Sequence, residues 1–103
     1  MEKKIFKRWY RMIILLLITK EYCPKCEYVK NLFNDITLDT MYILITINAT
    51  INPKIFEQFL EKGKTYNAPI LVILKSDEKK LIMDKGMTKE NITKTINNFI
   101  RKT

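Results

Sequence analysis

The chain has 103 residues, of which 47% are hydrophobic and 29% charged, with 2 Gly and 3 Pro. This length and composition are typical of a single globular domain with one core. The absence of His excludes imidazole acid–base catalysis, Ser-His-Asp and Cys-His nucleophile sites, and every His-ligated metal site. The 2 Cys are too few for the disulfide framework of a small secreted protein.

The chain is basic, with 19 Lys+Arg against 11 Asp+Glu and a net charge of +8. Nucleic-acid surfaces depend on Arg for bidentate contacts to bases and phosphates. Here 16 of the basic residues are Lys and only 3 are Arg. We therefore expect a solvated, lysine-rich surface and no nucleic-acid partner.

The first 18 residues set the domain boundary. Residues 1–11 (MEKKIFKRWYR) are basic, and the apolar run Met12–Ile18 (MIILLLI) is typical of a buried parallel strand. An export signal is the alternative interpretation, but no small-residue cleavage site follows, and a membrane span needs about 20 residues. We therefore expect a cytoplasmic domain over residues 12–103 with no membrane partner, preceded by a basic extension over residues 1–11. That extension either docks a partner or is an unstructured tail.

Three further segments predict the rest of the sheet after a first strand at Met12–Thr19. Met41–Ile47 (MYILITI) and Ile70–Leu74 (ILVIL) are rich in β-branched residues and almost uniformly apolar, so we expect two more buried strands. A polar turn at Lys75–Lys79 then leads to a short fourth strand, Leu81–Asp84, which pairs back on the third.

Three helices alternate with these strands. The first begins at Cys23-Pro24 and the second at Asn52-Pro53, because Pro is favoured at the first helical position, and Thr88 caps the third. Apolar residues at helical spacing mark their buried faces: Val29, Leu32, Phe33 and Ile36; Ile55, Phe56, Phe59 and Leu60, before a stop at Gly63; and Ile92, Ile96, Phe99 and Ile100. The order β-α-β-α-β-β-α predicts an α/β fold, a four-stranded mixed sheet with helices on both faces.

The candidate site is the heptapeptide Lys20–Cys26 (KEYCPKC), which contains both Cys of the chain. It joins a buried strand to a helix N-terminus, where unpaired N–H groups and the helix dipole stabilise an anion. A thiolate at that point has a lowered pKa and is the nucleophile in disulfide exchange. We expect Cys23, at the cap, to be exposed and reactive, and Cys26, one turn later, to be more buried and to resolve the mixed disulfide.

Cys-Pro-x-Cys after a buried strand, with Ala68-Pro69 before a later strand, resembles the thioredoxin superfold over residues 12–101. The stretch Thr19–Cys26 resembles glutaredoxins, which carry a Lys three residues before the first Cys of the motif. The resemblance implies that Lys20 binds the glycine carboxylate of glutathione and that Pro69 follows a cis peptide bond. Residues assigned to substrate binding are Lys20, Tyr22, Pro24, Lys25, Ala68 and Pro69, with Cys23 and Cys26 as the catalytic pair.

Some positions follow a different pattern. Lys25 stands where glutaredoxins have Tyr, and Asn67-Ala68 stands where they have Thr-Val. Gly86, just before the last helix, is closer to the thioredoxin pattern, and Tyr22 occupies the place of the thioredoxin Trp. The motif therefore combines features of both groups.

Together these features predict a monomeric dithiol oxidoreductase that reduces protein or glutathione mixed disulfides. No tightly bound cofactor is expected, since glutathione or a reductase supplies the electrons. Two alternative interpretations stay open. In the first, the chain is a non-enzymatic, thioredoxin-like binding module. In the second, Cys23 and Cys26 are half of a metal or iron–sulfur site that is completed in a dimer.

Overall fold

The computed structural model describes residues 12–55, 58, 67–76 and 78–101. The strands are β1 (Ile13–Thr19), β2 (Tyr42–Asn48), β3 (Ile70–Lys75) and β4 (Glu78–Met83), and the helices are α1 (Pro24–Leu32) and α2 (Lys89–Arg101). The sheet order is β2-β1-β3-β4, with β1 parallel to β2 and the β1–β3 and β3–β4 pairs antiparallel. The predicted α/β class and four-stranded mixed sheet are confirmed.

Strand β1 lies inside the sheet and, apart from Ile14, which is 38% exposed, is largely buried on both faces. Leu15 and Leu17 point to one face while Leu16 and Ile18 point to the other, and none of the four is more than 3% exposed. A strand between two layers needs an apolar residue at every position, which is what the run Met12–Ile18 supplies. The interpretation of this run as a buried strand is therefore confirmed.

Each face of the sheet carries its own apolar core. Both α1 and α2 pack on the first face, where the core is Ile13, Leu15, Leu17, Val29, Phe33, Ile36, Leu71, Ile73, Ile82, Met87, Ile92, Ile96 and Phe99. The core of the second face is Leu16, Ile18, Ala49, Ile55, Ile70 and Val72. The apolar faces predicted for α1 and α2 both lie in the first core, with Leu32 and Ile100 at its margin.

The strand predicted at Met41–Ile47 is found, as β2, but the prediction that it is buried is wrong. Among the described residues β2 pairs only with β1, so it is an edge strand. Ile43 and Ile45 are 46% and 42% exposed, although both are apolar and β-branched. Composition alone does not separate an edge strand from a central one, because both favour the same residue types.

Strand β4 is longer than predicted and begins earlier. It starts at Glu78, inside the segment predicted as a turn, and ends at Met83. Ser76 has a φ of 50°, the left-handed conformation that lets the chain reverse tightly. The polar residues Glu78–Lys80 remain in a strand because this outer strand leaves them exposed to solvent.

Several sequence predictions fall on residues that the structure does not describe. These are the basic extension over residues 1–11 and most of the helix predicted to begin at Asn52-Pro53, including Phe56, Phe59, Leu60 and Gly63. In the described part of the chain, no helix is long and apolar enough to cross a bilayer.

Helix α2 is held at both ends. The hydroxyl of Thr88 accepts the Asn91 N–H at 3.2 Å, which is the cap predicted from the sequence. At the other end the Nζ of Lys75, a residue only 9% exposed, donates to the Ile100 carbonyl at 3.0 Å. A cation near the last carbonyls also suits the negative end of the helix dipole.

Thr88→Ala should lower the free energy of unfolding by ~1 kcal/mol, because the Asn91 N–H loses its acceptor. Thr93→Ala is the matched control. It also removes a hydroxyl from α2, but that hydroxyl donates to the Lys89 carbonyl inside the helix, at 2.8 Å. Because Ala is the better helix former, this variant should keep or gain stability in urea unfolding. Equal losses in the two variants would contradict the capping role.

Candidate active site

The site begins where β1 ends. Tyr22 has a φ of 53°, so the chain turns through a left-handed residue directly before Cys23. Cys23 is extended, with φ −118° and ψ 92°, and is the N-cap of α1. Pro24 follows at the first helical position, where its fixed φ suits a helix and its missing N–H costs no hydrogen bond. The predicted helix start is therefore confirmed.

The two Cys form a disulfide with their Cα atoms 5.2 Å apart. The Cys26 N–H donates to the Cys23 sulfur at 3.1 Å. Cys23 is partly exposed, whereas Cys26 is only 3% exposed and belongs to the buried apolar residues of the domain. One sulfur is therefore open to a partner and the other is covered by the fold.

The local backbone favours negative charge on the Cys23 sulfur when the disulfide is reduced. That sulfur lies at the positive end of the α1 dipole, beside the N–H of Cys26. A thiolate that accepts a backbone N–H at a helix N-terminus is stabilised relative to the thiol. The arrangement therefore stabilises an anion at Cys23 rather than at Cys26.

The loop before Cys23 is anchored to the end of β2. The Ala49 N–H donates to the Thr19 carbonyl at 2.7 Å, and the Glu21 N–H donates to the Thr50 hydroxyl at 3.1 Å. The Asn48 side-chain oxygen in turn accepts the Thr50 N–H at 2.8 Å. These bonds hold Glu21, two residues before Cys23, to the neighbouring chain segment.

An open groove of about 570 Å³ lies beside the disulfide, between α1 and the carboxyl ends of β1 and β2. It brings together three of the predicted substrate-binding residues, Lys20, Tyr22 and Pro24, with both Cys. Tyr22 is 98% exposed, so its ring is free to contact a bound partner. The remaining lining residues are Thr19, Glu21, Glu27, Lys30, Thr46 and Asn48.

Ala68 and Pro69 lie at the same edge of the sheet but do not line this groove. Ile18 pairs with Ile70 in the antiparallel β1–β3 pair, so Pro69, the residue before Ile70, lies beside the end of β1. The Ala68-Pro69 bond is cis, as the resemblance implied, and Pro69 is buried. The two residues therefore flank the cysteine loop from the β3 side, opposite β2.

Lys25 is a third predicted site residue that lies outside the groove, after Ala68 and Pro69. It is exposed between the two Cys but is absent from the groove lining. Residues i and i+1 of a helix point in different directions, so the neighbour of Pro24 faces away from the groove. Lys25 contributes positive charge near the site and no groove surface.

Sequence reasoning missed three polar residues of the groove, Lys30, Thr46 and Asn48. The parallel pairing of β1 and β2 could have predicted Thr46 and Asn48, because the carboxyl ends of two parallel strands meet at one edge of the sheet. The polar residues that end the apolar run of β2 must therefore lie beside the loop that follows β1. Lys30 is reached from Cys26 by one helical turn.

In the described part of the chain, no three Cys, Asp or Glu side chains come together as a possible metal site. The Cys pair thus has no further protein ligand among those residues.

Comparison with solved structures identifies the fold. Deadhead, a germline-specific thioredoxin of Drosophila melanogaster, aligns with a TM-score of 0.65 at 13% identity, over 94% of this chain and 90% of its own. A thioredoxin from Thermus thermophilus aligns with a TM-score of 0.55 at 10% identity, over 95% and 81%. A malarial protein aligns with a TM-score of 0.57 at 13% identity, over 88% and 94%.

No family model and no curated protein sequence matches the chain. The structural likeness nevertheless covers nearly the whole length of the chain in each comparison. The chain has a thioredoxin-like fold, with its Cys pair at the N-terminus of the helix that follows the first strand of the βαβ unit.

The unequal burial of the two sulfurs predicts selective alkylation of the reduced protein. A brief iodoacetamide pulse should modify Cys23 many times faster than Cys26, which is 3% exposed. Trypsin separates the two, because cleavage after Lys20, Lys25 and Lys30 places each Cys in its own peptide. Mass spectrometry of the two peptides measures both rates in one sample, and in denaturant the rates should converge. Faster modification of Cys26 in the folded protein would reverse the assignment.

Proposed function

We propose that the chain is a dithiol–disulfide oxidoreductase that reduces disulfides of proteins or mixed disulfides of glutathione. The observation that supports this proposal is the Cys23–Cys26 pair, with one sulfur accessible at a helix N-terminus and the other buried within bonding distance. A disulfide with only structural use has no need of an exposed, anion-stabilised sulfur.

The reaction begins from the reduced pair. The Cys23 thiolate attacks one sulfur of the substrate disulfide, whose S–S bond breaks and releases one thiolate that takes a proton from solvent. A mixed disulfide now joins Cys23 to the substrate. Cys26 loses its proton and attacks the Cys23 sulfur, which releases the second substrate thiol and leaves the Cys23–Cys26 disulfide.

One turnover passes two electrons and two protons to the substrate, so the oxidised pair must be reduced again. Two glutathione molecules, or the dithiol of a reductase, supply the electrons, and no bound cofactor takes part in the exchange. Such reductants are maintained in the cytoplasm, where we place the chain, acting as a monomer. Lys20 supports glutathione as one reductant, because this cation lines the groove beside Cys23.

Replacing each Cys by Ser separates the two roles. Cys23→Ser should abolish the acceleration of insulin reduction by dithiothreitol, since a hydroxyl is not ionised near neutral pH. Cys26→Ser should still attack but should accumulate a mixed disulfide, visible as a mass increase that dithiothreitol removes. If the parent protein gives no acceleration, the chain is a binding module instead. If Cys23→Ser retains the parent rate, the nucleophile is assigned wrongly.

Lys20→Ala tests whether glutathione binds in the groove. A carboxylate hydrogen-bonded by this Lys contributes ~1.5–3 kcal/mol, so its loss should raise the KM for glutathione by about tenfold or more. Lys25→Ala is the control of equal charge change, and should raise KM only a few-fold because exposed charges interact weakly. Equal effects of the two variants would show that only net charge matters.

Turnover should also be measured with a thioredoxin-type reductase in place of glutathione. Activity with the reductase alone would identify protein disulfides as the substrates and remove Lys20 from a glutathione site.

A further inference from the structure

Tyr22 has a backbone conformation that its own side chain does not explain. Its φ of 53° lies in the left-handed region, which is unfavourable for a residue with a side chain. The side chain is 98% exposed, so packing of the ring does not hold the residue in this conformation. A left-handed residue of this kind persists only where the surrounding structure fixes it. The contacts that fix Tyr22 must therefore act through its neighbours in the chain.

The two neighbours of Tyr22 are held by different hydrogen bonds. The residue after it, Cys23, caps α1, and its sulfur accepts the Cys26 N–H at 3.1 Å. The residue before it, Glu21, donates its N–H to the Thr50 hydroxyl at 3.1 Å. The first bond lies within the helix cap, whereas the second joins residues 29 positions apart in the sequence. Thr50 therefore ties the turn to a distant part of the chain.

The backbone of Thr50 is itself held in place, which fixes where its hydroxyl lies. The Thr50 N–H donates to the Asn48 side-chain oxygen at 2.8 Å. The Asn48 carbonyl accepts the N–H groups of Ile51 and Asn52 at 3.2 and 3.0 Å. Asn48 is the last residue of β2 and pairs with Thr19, the last residue of β1. The edge of the sheet thus presents a fixed acceptor to the loop that follows β1.

We propose that Thr50 is a positioning residue that holds the left-handed turn at Tyr22 and thereby keeps the Cys23 sulfur at the N-terminus of α1. There the sulfur lies beside the Cys26 N–H and the positive end of the helix dipole, which stabilise a thiolate. Without the hydroxyl, Tyr22 relaxes towards the negative φ that a residue with a side chain prefers, and Cys23 shifts with it. This inference rests on the proposed function, because it gives Thr50 a part in the exchange reaction without contact to the substrate.

Thr50→Val removes the hydroxyl and keeps the shape of the side chain, whereas Thr50→Ser keeps the hydroxyl. The rate of Cys23 alkylation by iodoacetamide should be measured against pH in the reduced protein, with the tryptic peptide of Cys23 as the readout. Thr50→Val should raise the pH midpoint by ~0.5 units, about a threefold loss of thiolate below the midpoint. Thr50→Ser should keep the parent midpoint, and so should the control Thr93→Val, the same chemical change on α2. A parent midpoint in Thr50→Val, or a raised one in Thr50→Ser, overturns the proposal.

A second background tests whether Thr50 acts through the turn. Asn adopts the left-handed conformation more readily than Tyr, so the turn in Tyr22→Asn should need less support from Thr50. Adding Thr50→Val to this variant should shift the midpoint by less than half of its shift in the parent. Equal shifts in the two backgrounds would show that Thr50 acts by another route, and the proposal would be wrong.

The turn itself can be observed by NMR. A residue with positive φ has a short distance between its amide proton and its Hα, so Tyr22 should give a strong intraresidue nuclear Overhauser effect in the parent protein. That effect should weaken in Thr50→Val and persist in Thr50→Ser. Because Thr50 is exposed, both variants should fold, which circular dichroism verifies. A strong effect retained in Thr50→Val contradicts the proposal.

Failure of this inference is distinguishable from failure of the proposed function. If the parent protein reduces insulin but Thr50→Val keeps the parent midpoint, the oxidoreductase stands and only the role of Thr50 is removed. If the midpoint shifts as expected but the parent protein shows no exchange activity, the oxidoreductase is wrong. Thr50 then remains the residue that positions the Cys23 thiolate.

Discussion

The position of β1 between β2 and β3 is the constraint on which the site depends. Its side chains fill the cores of both faces, and each fully buried Leu or Ile contributes ~1.5–3 kcal/mol. A slip of one residue would exchange the two sets of side chains between faces whose covering layers differ, so one register is strongly preferred. That register fixes where β1 ends at Thr19, and the three residues Lys20–Tyr22 carry the chain to Cys23 at the start of α1.

Most of the fold could be predicted because local signals and burial agree. The run Met12–Ile18, Pro24 at a helix start and Thr88 at another each specify an element through a separate physical effect, and all three are found. The environment of β2 could not be predicted in the same way. Whether Ile43 is buried depends on which strand lies at the edge, and strand order is set by long-range pairing rather than by residue type.

The sequence predicted the part of the site that is contiguous with the Cys motif in the chain. The motif places both Cys, and the helix signal at Pro24 places Cys23 at the cap. Thr46 and Asn48 were missed because they come from a strand 20 or more residues away and belong to no motif. Lys25 shows the converse error: it is adjacent in sequence, yet the helix turns it out of the groove.

Charge acts on the proposed partner at two distances. The net charge of +8 attracts anionic molecules over about one Debye length, roughly 8 Å at physiological salt, and raises the rate of encounter. Within the groove the signs are mixed, since Lys20 and Lys30 lie with Glu21 and Glu27. A uniformly acidic segment is therefore attracted from a distance but meets two carboxylates on contact. Glutathione carries two carboxylates and one ammonium group, so it can match both signs at once. This mixture of signs supports the proposal of glutathione as a small zwitterionic partner, while the net charge of the whole surface acts on any anion alike.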